Sequence, residues 1–255
     1  MSLSITLRSE LLKTKRTAAF YFTLIGAAAV PVIFLLNALL DSDDMDATRK
    51  DPLNGLFKLL SEMNGYAFFP WFIILISTLL PQIEYKNNTW KQVLTSPQTK
   101  ADLLLAKFLN IHFLMLLFLV STHLFMFIAI IIANVAVPAI GFFDHSLDGG
   151  IVLTNAANAY VTMLAVCTIQ FWIGLRFKNF IVPIAVGLAL WLTGTILVLQ
   201  FNSGMAKYFP YSFQVFNVSS KHHTYLNQVA WTSAGYAVFF LFACFLDFRR
   251  REIIK

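Results

Sequence analysis

Residues 18–40 contain no charged side chain, and five further stretches share that property: 66–83, 108–137, 154–175, 180–199 and 228–246. A helix needs roughly 20 apolar residues to cross the hydrocarbon core of a bilayer. Hydrocarbon offers no partner to a peptide group, so only helices and closed barrels span it. Runs of this length read as helices, and the chain is expected to be an all-α integral membrane protein with six transmembrane helices in a single domain.

The composition agrees. Hydrophobic residues make up 58% of the 255, the mean hydropathy is +0.69 and only 13% are charged, against about 25% in soluble domains. In a soluble chain a net charge of +6 would suggest nucleic acid; here it reflects basic loops on one membrane face. Cys167 and Cys244 both fall inside spans, so disulfide and metal logic do not apply. The first apolar run is long enough to span, and no small-residue site clearly follows it, so no cleavable leader is expected.

The charges set an orientation. The N-terminus, the segment around residues 84–107, the turn at Arg176 and Lys178, and the C-terminus together contain 14 Lys and Arg, whereas the three intervening connections contain 5. Positive charge stays on the cytoplasmic side, so both termini and the central segment are expected there. The loop 41–65 is acidic, and 138–153 has no Lys or Arg. Residues 1–17 space Leu3, Leu7 and Leu11 four apart, among Arg8, Lys13, Lys15 and Arg16. This predicts an interfacial amphipathic helix.

Polar residues inside the spans are sparse and uncharged. His112, His123 and Asn134 recur every eleven residues, three helical turns, and Asn155, Asn158 and Thr162 form a second stripe. They are candidate lining for a translocation path, and equally candidates for hydrogen bonds that hold helices together. An ion-coupled carrier usually buries Asp, Glu or Arg at mid-membrane, and none is present there. Ala185, Ala189 and Thr193, with Gly187 and Gly194, permit close helix packing.

Residues 84–100 form a polar island. Thr89 and Gln92 fit a capping box, and Trp90, Val93 and Leu94 share one face of a short helix, 89–95, with Lys91 and Gln92 opposite. Ser96-Pro97 suits the end of this helix and the start of the next. The spacing is compatible with docking a partner and with a capped turn. No phosphate-binding loop, zinc-protease motif or nucleophile elbow occurs. His222-His223 lacks the spacing of a helical metal pair.

The order of an amphipathic basic helix, six spans, a polar helix after Glu84 and a basic end resembles the permease subunits of type-2 ABC transporters. The likeness is to permeases of lantibiotic and bacitracin self-protection and of multidrug export. It rests on Glu84-Tyr-Lys-Asn-Asn-Thr-Trp-Lys with Ser96-Pro97, on Tyr208-Phe-Pro-Tyr-Ser and on Phe248-Arg-Arg-Arg-Glu.

The resemblance implies a bacterial inner-membrane permease that dimerises with itself or a sibling. It would export or clear an amphiphilic substrate such as a peptide antibiotic or drug and bind no cofactor, with ATP and Mg on separate ATPase subunits. Residues 1–17 would be the elbow helix, 89–95 the coupling helix and 200–227 a re-entrant outer segment. Glu84, Thr89, Trp90, Lys91, Val93 and Leu94 would contact the ATPase, with Trp90 the exposed apolar anchor. A non-catalytic scaffold subunit and an ATP-independent carrier are the alternative readings.

Overall fold

The structure is a computed structural model that describes residues 3–40, 51–90, 98–138, 142–144 and 146–250. Its elements are α1 (Leu3–Thr14), α2 (Ala18–Leu40), α3 (Pro52–Met63), α4 (Phe69–Lys86), α5 (Lys100–Ala136), α6 (Gly149–Thr162), α7 (Leu164–Arg176), α8 (Ile181–Leu199), α9 (Phe213–Val218) and α10 (Leu226–Arg250). No strand occurs among the described residues. Six helical segments are long and apolar enough to cross a membrane: Ala18–Leu40, Leu53–Lys86, Lys100–Ala136, Gly149–Arg176, Ile181–Leu199 and Lys221–Arg250.

α2 lies along α5, α4 along α7, and α7 along α10. Phe69 and Phe72 of α4 meet Phe118 of α5 at ring distances of 5.5 and 4.4 Å, which centres the core on these two helices. Outward-facing residues such as Val120, Trp231 and Val238 are exposed and apolar, as helices immersed in lipid require.

Three departures from the expected elements have physical causes. The first concerns residues 52–65, expected as loop, which are helical. Asp51 caps α3 by accepting from the Asn54 N–H at 3.2 Å, and Pro52 opens it. Leu53, Leu56, Phe57 and Leu60, all buried, recur at i, i+3, i+4 and i+7 as one apolar face. A search for uncharged runs overlooks such a helix because Lys58 and Glu62 interrupt it. A π-helical turn, Asn64–Phe68, joins α3 to α4.

The second departure is that α5 begins at Lys100, eight residues before the expected span. Thr99 caps it, accepting from the Asp102 N–H at 3.0 Å while its hydroxyl donates to the Asp102 carboxylate at 2.8 Å.

The third is a break at Met163 between α6 and α7. Ser233 of α10, fully buried, compensates for it. Its hydroxyl lies 2.8 Å from the Val161 carbonyl and 3.1 Å from that of Thr162, and its oxygen accepts from the Ala165 N–H at 3.2 Å. Broken backbone is tolerated at membrane depth where a neighbouring helix satisfies it in this way.

Residues 206–218 fold into short turns and α9, which pack on α6, α8 and the π turn. A Cβ on Gly194 would lie 2.7 Å from the Tyr211 backbone, so this close approach needs glycine. Gly187 likewise admits Ile74 and Gln170.

Candidate functional site

At the end of the bundle where α1 lies, four ionisable residues form a closed ring. Lys107 Nζ of α5 is 2.7 Å from Glu10 Oε2 and 3.0 Å from Glu84 Oε1. Lys13 Nζ is 2.8 Å from Glu10 Oε1 and 2.9 Å from the same Glu84 oxygen. Carboxylates and ammoniums thus alternate and the charges cancel. The Glu10, Glu84 and Lys107 side chains are 6%, 2% and 2% exposed, and that of Lys13, at the rim, is 35%. Burial opposes the charge on Lys13, but the hydrogen bonds and negative charges of Glu10 and Glu84 outweigh it and lift its pKa above the ordinary value.

The ring depends on how α1 docks. Thr6, Glu10 and Thr14, spaced four apart, form its buried face. The leucine stripe expected to organise this helix lies beside the contact, with Leu3, Leu7 and Leu11 only partly covered. Asn110 of α5 donates to Thr14 Oγ1 at 2.7 Å and to the Glu10 carbonyl at 3.3 Å. Buried charge is costly unless it is paired and hydrogen-bonded, and here every charge has at least two partners.

Glu84 connects the ring to the segment that follows α4. Its second carboxylate oxygen accepts from the Thr89 hydroxyl, and its carbonyl accepts from the Thr89 N–H at 3.0 Å. The Thr89 hydroxyl thus donates to Glu84, and the capping box expected with Gln92 falls on residues outside those described. Asn88 turns the chain through a left-handed φ of 53°.

Trp90, expected as an exposed anchor, is 5% exposed. Its ring packs 5.4 Å from Tyr85 and 5.9 Å from Phe248 of α10, with Lys107 Nζ 5.8 Å above it. The apolar face it occupies belongs to the bundle itself, because the end of α10 folds over it. Lys91, Gln92, Val93 and Leu94 lie outside the described residues.

Further ties close the same end. Tyr85 donates to the Leu175 carbonyl at 2.8 Å, and Gln82 donates to that of Phe177 at 2.6 Å. Asp247 of α10 accepts from Arg176 at 2.8 and 3.2 Å and from Trp172 at 3.0 Å. The start of α5 and the ends of α1, α4, α7 and α10 thus meet in one polar joint.

The two polar stripes separate. His112 accepts from or donates to the Tyr160 hydroxyl at 2.8 Å, and Asn134 accepts from the Phe142 N–H at 3.2 Å, so both hold neighbouring segments together. His123 and Asn155 line a cavity near the opposite end. Thr162 meets Gln214 at 2.7 Å just beneath it, and the Asn158 carbonyl accepts from the Thr162 hydroxyl. His222 is 2.8 Å from Asn202 and 3.0 Å from Ser219. Among the described residues no cluster of His, Cys, Asp or Glu has the makings of a metal site.

Sequence reasoning passed over Glu10 and counted Lys107 with the polar segment ahead of the third span. A signal was available. Glu10 is the single acid in the otherwise basic stretch of residues 1–17, and Lys107 falls inside a helical apolar pattern with Leu103, Leu104 and Ile111.

Six apolar helices with a buried ion-pair ring at one end define a multi-pass membrane protein. The family model described as ABC-2 family transporter protein matches residues 6–194, and the chain belongs to that family. It is a membrane component of an ABC transporter, a role that implies an ABC ATPase as partner. No curated protein sequence matches the chain significantly.

Proposed function

We propose that this chain is the permease of an ATP-driven exporter in a bacterial inner membrane and that the ring transmits the motion of a separate ATPase. On this reading both termini and residues 84–100 are cytoplasmic, and the permease pairs with a second copy or a sibling. ATP and Mg stay on the partner, which contacts the chain around 89–95. The resemblance points to an amphiphilic cargo such as a peptide antibiotic or drug.

The observation that carries the reading is the double engagement of Glu84, to Thr89 on one side and to Lys13 and Lys107 on the other. A displacement of the segment beyond Trp90 pulls on Glu84 and therefore on α1 and α5 together. A partner shifts the bundle only by the difference in its affinity for two arrangements. The ring supplies such a difference, because its charges are stable only when all four are in place.

The test is purification of the tagged chain from its own cells, followed by reconstitution. An ATPase with a phosphate-binding loop should copurify. Glu84→Gln should retain it yet uncouple ATP hydrolysis from transport. Absence of any ATPase, or full coupling in Glu84→Gln, refutes the proposal.

A further inference from the structure

Remote from the ring, a cavity of about 580 Å³ opens between α3, α6 and the segment that includes α9. Phe57, Ile151, Val152 and Val218 give it apolar walls, and Lys58, Glu62 and His223 also line it. Ser61, Asn155 and Asn217 are shared with a second, smaller cavity of about 20 Å³. Room for one water-sized group starts at roughly 10–15 Å³, so this blind end admits a single such group.

Eight buried side-chain polar atoms among the described residues have no hydrogen-bond partner, and four of them belong to residues lining that blind end: Asn64 Oδ1, His123 Nε2, Gln214 Nε2 and Asn217 Oδ1. Asn64 and Gln214 are 7% and 2% exposed. A buried polar group left without a partner destabilises the fold, and a ligand that satisfies several of them recovers that cost.

The polarity of the set is readable. His123 Nδ1 lies 2.7 Å from the Leu119 carbonyl. A carbonyl only accepts, so Nδ1 carries the proton and Nε2 presents a lone pair. With the two asparagine oxygens this makes three acceptors. Gln214 presents either end of its amide, because the Thr162 hydroxyl beside it can donate or accept. Among the described residues, the lining of the blind end contains no Lys or Arg. A water has two donors, whereas a primary ammonium has three and no acceptor.

We propose that the blind end, formed by Asn64, His123, Gln214 and Asn217, binds the primary ammonium of an amphiphile whose apolar part occupies the larger cavity. The π turn at Asn64–Phe68 presents Asn64 to the site, and Gly65 lets α9 close on it: a Cβ there would lie 2.4 Å from Val218 and 2.8 Å from Gln214. π turns of this kind recur at functional sites. The ammonium can belong to a soluble amphiphilic amine or to an aminophospholipid.

The test uses the chain alone in nanodiscs of phosphatidylcholine and phosphatidylglycerol, so its outcome is independent of any ATPase. Calorimetric titration with n-octylammonium, corrected with empty nanodiscs, should show saturable binding. Octanol lacks the charge, and octyltrimethylammonium lacks the N–H donors and is too large for about 20 Å³. Both should bind at least ten-fold more weakly.

Asn64→Leu and Asn217→Leu should each weaken octylammonium ten-fold or more without lowering thermal stability, since each removes an orphaned polar atom. Asn217 is only partly buried, so its variant remains informative should Asn64→Leu misfold. Adding phosphatidylethanolamine separates the sources: competition with octylammonium assigns the site to lipid, and no competition assigns it to a soluble amine. Equal binding of octylammonium and its trimethyl analogue, no saturable binding above the blank, or wild-type affinity in the variants overturns the proposal.

Discussion

Lys107→Met removes the most buried cation of the ring while nearly preserving its volume. The native ammonium lies 2.7 Å from Glu10 and 3.0 Å from Glu84, with a side chain 2% exposed. Without it, two buried carboxylates share Lys13 as their one cation among the described residues. Removing one partner of a buried ion pair costs about 3–5 kcal/mol, because the remaining charge is uncompensated. The double variant Lys107→Met/Glu84→Gln deletes one charge of each sign and leaves Glu10 paired with Lys13 at 2.8 Å. It should therefore be more stable than Lys107→Met alone.

The assay is unfolding of the isolated chain in detergent micelles for both single variants and the double. Interacting residues depart from additivity by about 0.5–3 kcal/mol, and a coupling of about 2 kcal/mol is expected here. A second readout follows α1 directly. Thr6 is 1% exposed, so a cysteine placed there should resist maleimide in the wild-type background and react once Lys107→Met loosens the helix. Additive costs, or a Lys107→Met variant within about 0.5 kcal/mol of wild type, would refute the ring as a cooperative unit.

Trp90→Ala should lower the melting temperature of the chain by itself, at a cost of about 3–5 kcal/mol for a buried tryptophan; unchanged stability would place the ring outside the bundle. Gly65→Ala drives a methyl against Val218 and Gln214 and should cost about 1–3 kcal/mol as overpacking. Gly235→Ala in α10, with open space around its Cβ, should be neutral or stabilising by up to about 1 kcal/mol. For topology, a cysteine replacing Gln98 should be protected from an impermeant thiol reagent in intact cells and one replacing Ser42 should be labelled. The native Cys167 and Cys244 are fully buried and add no background.

The six spans were legible because the solvent imposes them. A helix in hydrocarbon must be apolar over its own length, so the requirement is local and sequence periodicity reports it. The helix 52–63 was less legible, since its apolar face alternates with Lys58 and Glu62 and only i, i+3, i+4 spacing betrays it. Trp90 shows the limit of such spacing. It marks a residue that seeks apolar cover, and what covers it, a partner or the chain's own Phe248, depends on where α10 ends in space.

The sequence by itself determined the class of the protein: an all-helical bundle with six spans and basic connections concentrated on alternate loops. The tertiary structure decided what the few polar residues do. Glu10 and Lys107 are 97 positions apart and Lys13 and Glu84 are 71, yet they neutralise one another, which lets charge enter the helical bundle at the α5 start. Asn64, His123, Gln214 and Asn217 come from three separate helical segments to face one small cavity. Periodicity describes the faces of one helix, whereas the energy of a buried charge or an orphaned amide depends on the atoms that a different helix brings within 3 Å of it.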